Sequence, residues 1–107
     1  MKIYLIYINI LRDLCKDENI AVTQHANNRL RERNITIEDI KNAINTGEII
    51  KQYEDDKPFP SCLILGRSNN ESYIHVVVSC FEDILYIITS YYPDRDCWTY
   101  DFKLKKE

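Results

Sequence analysis

The 107-residue sequence has only two glycines and three prolines, so it offers little material for flexible turns or linkers. This scarcity argues against two domains joined by a mobile segment. A hydrophobic fraction of 45%, with 11% aromatic residues, is enough to fill one packed core and excludes a disordered chain. We therefore expect a single domain over residues 1–107, with a docking element at 1–22 and a core at 23–102.

Patterns that bind metals or cofactors are also lacking. The sequence has four cysteines at widely separated positions: Cys15, Cys62, Cys80 and Cys97. Neither His25 nor His75 is near a cysteine in sequence, whereas zinc ligands usually come in close pairs. Glycine-rich phosphate loops and the G-x-S-x-G and H-E-x-x-H motifs do not occur. We expect no metal, no cofactor, and reduced thiols buried as small apolar side chains.

An excess of positive charge is missing too. Lysine and arginine total 14 against 17 aspartate and glutamate residues, a formal charge of −3. This balance argues against a protein that coats nucleic acid, because such affinity comes from neutralising phosphates. A negative net charge is compatible with a local basic patch, and a few cations suffice to engage a short RNA segment.

The longest apolar stretch, Met1–Leu11, is too short to cross a bilayer. Asn9 interrupts it, Arg12 and Asp13 follow at once, and no small-residue cleavage site comes after it. We therefore interpret this stretch as a helix or an added strand that docks on the domain. The expected location is cytoplasmic, without a membrane partner.

Two helices are predicted next, each with a recognisable start and end. Thr23 is a suitable N-cap for the first, and Asn34 can adopt the left-handed conformation that ends it. In the second helix, Thr36 and Asp39 have the spacing of a capping box, and Gly47 ends the helix.

After the second helix the hydrophobic period changes to two, which predicts strands. Four are expected, at residues 48–53, 61–67, 72–80 and 84–92. The predicted fold is therefore α+β, with the N-terminal helices packed on one face of a four-stranded antiparallel meander. The tail from Cys97 to Phe102 can add an edge strand. The last two strands of the meander are apolar on both faces, so they belong to the sheet centre, and a site could form on the less covered face.

One side of the first predicted helix carries a row of polar side chains that recur every four residues. His25, Arg29 and Arg33 share this side, and the row borders the apolar stripe at the rim between helix and sheet. It is compatible with a solvated face on which the arginines pair with Glu32 and Glu38. It is equally compatible with a site that binds phosphate and transfers protons.

His75 lies in the middle of an apolar strand, where a histidine normally needs a hydrogen-bond partner. An antiparallel register places it opposite Thr89, with Tyr73 and Tyr91 on the same face. One interpretation is a core histidine with a satisfied ring. The other is a general acid or base among hydroxyl groups.

Aromatic residues accumulate near the end of the last predicted strand. Tyr91 and Tyr92 precede a break, and Trp98 and Tyr100 follow it. They either pack locally or provide surfaces on which single-stranded bases stack. Such stacking contributes roughly 1–3 kcal/mol per base.

Five segments together carry a family resemblance. They are H-A-x-x-R-x-x-x-R at 25–33, I-T-I-E-D-I at 35–40, A-I-N-T-G-E-I-I at 43–50, I-H-V-V at 74–77 and I-I-T-S-Y-Y-P-D at 87–94. In this order and spacing, from Val22 to Trp98, the chain resembles the domain of unknown function (DUF) 4258 family. Ser90 departs from the valine that this family often has.

The resemblance implies a layout similar to that of the RelE-like toxins and ribonucleases, the barnase, EndoU, colicin and RelE superfamily. By this analogy of fold, the expected activity is metal-independent cleavage of RNA by a toxin-like protein. The candidate catalytic residues are then His25, Arg29, His75 and Tyr91. The candidate binding residues are Arg33, Thr89, Tyr92 and Trp98.

Two other hypotheses stay open at this point. The same face could belong to a non-catalytic module that binds a protein or a small ligand, since tyrosine and arginine are enriched at interfaces. The histidine–arginine row could also be structural and tie the helix to the sheet. The expected partners are RNA and a cognate antitoxin-like protein in the first case, and a protein or ligand in the second.

Overall fold

The computed structural model describes residues 5–106, in which three α-helices accompany a mixed five-stranded sheet. In chain order the elements are α1 (Ile8–Leu14), a 3₁₀ turn (Asp17–Asn19), β1 (Ile20–Val22), α2 (Gln24–Glu32), α3 (Ile37–Thr46), β2 (Glu48–Tyr53), β3 (Ser61–Arg67), β4 (Tyr73–Phe81) and β5 (Ile84–Tyr91). The strand order is β1-β5-β4-β3-β2.

The α+β class and the meander are confirmed, but the prediction of only four antiparallel strands is wrong in detail. Strands β2 to β5 form the meander, and β1 adds a fifth strand parallel to β5. With three residues, β1 is too short for a period of two to reveal it. The expected docking element contains α1 and β1, and its first residues, Met1–Tyr4, lie outside the described residues.

The predicted helix starts are confirmed by their hydrogen bonds. The hydroxyl of Thr23 accepts from the Ala26 amide at 3.0 Å. At the start of α3, the Asp39 amide donates to the Thr36 hydroxyl at 3.1 Å, and the Thr36 amide donates to the Asp39 carboxylate at 2.9 Å. Asn34 takes the left-handed conformation, with φ 57°. The turn at Asn34 and the capping box at Thr36 therefore determine where α2 ends and where α3 begins.

Both glycines lie where α3 crosses β3. A Cβ built at Gly66 would lie 2.6 Å from the Ala43 Cα and would also collide with the Ala43 carbonyl oxygen. A Cβ at Gly47 would meet backbone oxygens of Ala43 and Leu65. Gly47 has an extended backbone, with φ −98°, so close approach of helix and strand explains this glycine. The two glycines let α3 lie directly on the sheet.

The main core fills the space between the helices and one face of the sheet. The fully or almost fully buried members of this cluster are Leu11, Leu30, Ile40, Ala43, Ile44, Cys62, Ile64, Ile74, Val76, Val78, Leu85 and Ile87. Burial of each leucine, isoleucine or valine in this list contributes about 1.5–3 kcal/mol, so this layer holds the helices in place against the sheet. Among the described helices, none is long and apolar enough to span a bilayer.

The expected edge strand at the tail is wrong. Residues 93–106, the C-terminal segment, fold back over the second face of the sheet, and their ladder contact is a single bridge between Trp98 and Lys105. Trp98 and Phe102 contact side chains of β4 there. Covering the apolar second face buries these aromatic rings better than a lone edge strand would.

The pairing of β4 with β5 also differs from the prediction. His75 lies opposite Tyr91 instead of Thr89. The turn contains two residues, Glu82 and Asp83, with φ 49° and 64°, and a β-bulge adds one residue to β5. Beyond the bulge the register is shifted by two residues, so Thr89 and Tyr91 stay on the face of His75. Between the turn and the bulge it is shifted by only one residue, so Leu85 and Ile87 lie in the core under the helices instead.

The cysteines are only partly as expected. All four are free thiols. Cys62 is buried, and burial raises its pKa to about 12. Cys97 is exposed, which contradicts the expectation that the thiols are buried.

Candidate functional site

Arg33, which caps the end of α2, joins that helix to β5. Its Nη1 donates to the Thr89 hydroxyl at 3.2 Å and to the Ser90 carbonyl at 2.9 Å. Strand β1 pairs with β5 only as far as Ile87, so the guanidinium reaches β5 beyond the end of that neighbouring strand. Hydrogen bonds to charged groups contribute about 1.5–3 kcal/mol each. Arg33 therefore fixes the end of α2 at the hydroxyl-bearing end of β5.

His25 and Arg29 lie on the same side of α2 and are exposed. Within residues 5–106, no hydrogen bond or ion pair involves either side chain. An α-helix rises about 1.5 Å per residue, so successive members of the set His25, Arg29 and Arg33 are separated by about 6 Å along the axis. We call these three residues the α2 row.

Neither of the two described carboxylates that could neutralise the α2 row pairs with it. Glu38 pairs with Lys41 at 3.3 Å, and Lys41 also pairs with Asp17. In the part of the chain that the structure describes, Glu32 forms no ion pair. The arginine charges of α2 are therefore not compensated by described acidic side chains, and the paired helix face considered from the sequence does not form.

His75 is fully buried, and both of its ring nitrogens are occupied. Nε2 lies 2.9 Å from the Phe102 carbonyl oxygen, and Nδ1 lies 3.3 Å from the Tyr91 hydroxyl. Because a carbonyl oxygen only accepts, we assign the proton to Nε2, and Nδ1 then accepts from Tyr91. The Trp98 ring meets the imidazole edge-on at 4.4 Å between centroids. In this arrangement the imidazole offers no free nitrogen to a substrate.

The protonation of these two groups follows from their burial. Burial lowers the pKa of His75 below its usual 6.5, although the bond to the Phe102 carbonyl opposes this shift. Burial raises the pKa of Tyr91, and so does the neighbouring Tyr53, while the charge of Arg33 opposes them. Both side chains are therefore neutral near pH 7, which matches the hydrogen bond from phenol to imidazole.

We expect the stability of the protein to depend on pH through His75. The folded pKa lies below the unfolded value of 6.5, so the unfolded chain binds the proton more readily. The free energy of unfolding should therefore fall as the pH drops below about 6.5, by at most about 1.4 kcal/mol per pH unit. Urea unfolding of wild type and His75→Gln between about pH 7.5 and 5 measures this. Equal pH slopes for the two proteins would contradict it.

The structure brings some of the predicted site residues together and separates others. Arg33 bonds to Thr89, and two positions further along β5 Tyr91 bonds to His75, whose ring meets Trp98. These five residues form a series from the end of α2, across β5 and β4, to the C-terminal segment. His25 and Arg29 continue the series outward along the exposed side of α2. Tyr92 is exposed after the end of β5, and no described hydrogen bond involves its side chain. The predicted residues therefore form an exposed half and a buried half that share Arg33.

Two features of this region were not predicted from the sequence. The Phe102 carbonyl, which holds His75, is a backbone group and leaves no signal in residue types. The C-terminal segment also forms the wall of a polar cleft with Arg67 and Tyr73. These residues come from parts of the chain far apart in sequence, so no local spacing links them. Within residues 5–106, no three histidine, cysteine, aspartate or glutamate side chains are grouped so that they could hold a metal ion.

Fold and site together define a small α+β protein with an uncompensated arginine-bearing helix beside a central strand. The model of the domain of unknown function family DUF4258 matches residues 22–92, which is more than half of the chain. The chain therefore belongs to the DUF4258 family. The matched region runs from the end of β1 through β5 and leaves out α1 and the C-terminal segment. No curated protein and no solved structure matches the chain.

Proposed function

We propose that this protein is a metal-independent endoribonuclease of the toxin-like, RelE-like kind, and that the α2 row is its RNA-contacting surface. The observation that carries the proposal is the state of this row. Its outer members, His25 and Arg29, are exposed and have no described partner, while Arg33 is held on β5 by two hydrogen bonds. Unpaired cations and a free imidazole at one rigid surface are what a reaction on a phosphodiester requires.

The proposed reaction uses the 2′-hydroxyl of RNA as the nucleophile. His25 takes the proton from this hydroxyl, whose oxygen bonds to the adjacent phosphorus while the bond from phosphorus to the 5′ oxygen breaks. The His25 imidazolium passes this proton, directly or through one water, to the leaving 5′ oxygen, so the products are a 2′,3′-cyclic phosphate and a 5′-hydroxyl. Arg29 and Arg33 bind the phosphate oxygens, because a guanidinium matches their geometry and charge. No other group is needed to balance the step.

The buried half of the series has a supporting role in this proposal. The Tyr91 hydroxyl and His75 hold each other across β4 and β5, and Thr89 accepts from Arg33. His75 is therefore a positioning residue in our assignment, although the sequence made it a candidate acid or base. A cognate antitoxin-like protein that covers the α2 row would be the expected regulatory partner.

The charge distribution supports binding to a short RNA. The whole chain has a formal charge of −3, yet α2 and its cap carry Arg29, Arg31 and Arg33 within five residues. A local cluster of this kind can attract phosphates even when the net charge is negative. Because only a few phosphates are contacted, binding should be weak, and its log affinity should fall with log salt by only about 0.7 per contacted phosphate.

Binding of a single-stranded 2′-O-methyl RNA, which lacks the nucleophile, tests the RNA-contacting surface without cleavage. We expect Arg29→Ala to weaken binding and to reduce the slope of log affinity against log salt by about 0.7, the value for one lost phosphate contact. Lys16→Ala is the matched control, because Lys16 is an exposed cation on the connection between α1 and β1. Fluorescence anisotropy over a salt series gives both slopes. Identical slopes for the two variants would refute the assignment of Arg29.

A non-catalytic binding module is the second candidate, and one observation favours it. Of the predicted catalytic residues, His75 is sealed from solvent and Tyr91 is only partly exposed. Expression in a growth assay separates the two candidates. Growth arrest that Arg29→Ala abolishes without loss of folding supports the nuclease. Normal growth together with stable capture of a partner by the α2 row supports the module.

A further inference from the structure

A further group of charged side chains lies away from the α2 row, near the sheet edge formed by β2. A cleft of about 570 Å³ opens between the start of β2, the end of β3 and the C-terminal segment. The side chains relevant to its chemistry are Glu48, Arg67, Tyr73, Arg95, Tyr100 and Lys103. Sites for small molecules typically enclose roughly 300–1,000 Å³, so this cleft has the size of a ligand site.

The charges in the cleft do not cancel. Lys103 pairs with Glu48 at 2.7 Å. Asp101, which also lines the cleft, accepts hydrogen bonds from a hydroxyl and an amide of the C-terminal segment. Arg67 and Arg95 form no ion pair within the described chain. The three cations and two carboxylates of the lining leave one net positive charge, and both guanidinium groups are free to contact an anion.

Aromatic rings hold both guanidinium groups in place. Arg67 lies 4.6 Å from the centre of the Tyr73 ring and donates to the Tyr73 hydroxyl at 2.8 Å. Arg95 lies 4.9 Å from the centre of the Phe102 ring and 5.5 Å from that of Tyr100. Guanidinium groups fixed in this way lose less side-chain entropy when they bind an oxyanion.

Tyr100 adds a surface for a flat group. It is 89% exposed although it lines the cleft, so most of its ring is accessible to a ligand. Any base can stack on such a ring, because every base has a flat π-face. The cleft therefore combines two anchored cations with a ring surface, and a phosphate joined to a planar base matches both.

We propose that this cleft binds a nucleoside monophosphate, with the phosphate on Arg67 and Arg95 and the base against Tyr100. The nucleotide can be free or can be the terminal nucleotide of an RNA. Only the second source depends on the proposed function. The site is separate from the α2 row, because the cleft is lined by β2, β3 and the first residue of β4, whereas Arg33 of the row bonds to β5.

Isothermal titration with adenosine 5′-monophosphate, adenosine and inorganic phosphate tests the proposal. We expect saturable binding of the monophosphate, and binding of adenosine and of phosphate that is at least about tenfold weaker. Arg67→Ala and Arg95→Ala should each weaken monophosphate binding by about tenfold to a hundredfold. Lys16→Ala should leave it unchanged, and Arg67→Lys should restore part of the loss because it keeps the charge. Both arginines are exposed, so thermal melting of each variant should match wild type.

Oligonucleotides identify the source of the nucleotide. If the ligand is an RNA end, a 5′-phosphorylated 2′-O-methyl oligonucleotide should bind more tightly than its 5′-hydroxyl form, and Arg95→Ala should remove the difference. If it is a free nucleotide, the two oligonucleotides should bind equally while the monophosphate still binds. Absence of monophosphate binding at millimolar concentration, or full binding by both alanine variants, overturns the proposal. Arg29→Ala should keep monophosphate binding, so failure of this site and failure of the α2 row give different results.

Discussion

Replacing His25 by alanine is expected to lower the rate of RNA cleavage by about 10²- to 10⁴-fold, the usual contribution of one proton-transfer group. His25 is exposed on α2 and forms no hydrogen bond with a described residue, so its loss should change the free energy of unfolding by less than about 0.5 kcal/mol. Single-turnover cleavage of a fluorescent single-stranded RNA at low salt measures the rate.

The matched control for this prediction is Asn28→Ala. Asn28 is exposed on the same helix, and its side chain bonds only to Gln24 among the described residues. It should cleave RNA at the wild-type rate. If His25→Ala and Asn28→Ala are equally active, His25 does not transfer the proton, and the assignment of the α2 row as a catalytic surface is lost.

Gly66→Ala is expected to produce the largest loss of stability, about 3 kcal/mol of unfolding free energy. The added Cβ would lie 2.6 Å from the Ala43 Cα, which is backbone and cannot rotate away. The helix must therefore move off β3, and the core beneath it opens. Urea unfolding at constant pH gives the value from the midpoint and slope.

A second variant shows whether the backbone contact is the cause. Ala43→Gly removes the Ala43 Cβ, but the Cα and carbonyl oxygen of that residue stay where they are. The double variant Ala43→Gly/Gly66→Ala should therefore remain as unstable as Gly66→Ala or become less stable. Recovery of stability in the double variant would show that the side-chain contact dominates and that α3 can tolerate a Cβ on the strand.

The parts of the fold that are determined locally could be predicted from sequence. Thr36 and Asp39 satisfy backbone amides within their own helix turn, so their spacing alone locates the start of α3. The change to strand-like segments after Gly47 likewise located β2 to β5 to within one residue at each end. In contrast, β1 has three residues and becomes a strand only because β5 offers an edge. A periodic pattern cannot appear in so short a segment.

The C-terminal segment shows most clearly that packing between distant parts of the chain cannot be predicted from local sequence. From the sequence, the tail from Cys97 to Phe102 was expected to add an edge strand, and its aromatic residues are of types that strands favour. The segment instead covers β4, because the apolar second face of the sheet is a larger area to bury than one more edge. That preference depends on a surface built by residues more than twenty positions earlier.

The candidate site was predictable to the same extent. The four-residue spacing placed His25, Arg29 and Arg33 on one side of a helix, and the border position of the row suggested contact with the sheet. The contact of Arg33 with Thr89 and Ser90 agrees with that expectation. Whether His75 is a satisfied core histidine depends on its bond to the Phe102 carbonyl, which is a backbone group. The pairing of His75 with Tyr91 depends on a β-bulge in β5. Residue types reveal neither feature.

Analysis of the RNA ends tests the proposed chemistry most directly. The purified protein is incubated with a single-stranded RNA in excess EDTA, and the new ends are identified by mass spectrometry. We predict 2′,3′-cyclic phosphate and 5′-hydroxyl ends from wild type, and at least about a hundredfold less of both from His25→Ala. Intact RNA with wild type, or equal yields from wild type and His25→Ala, would contradict the account.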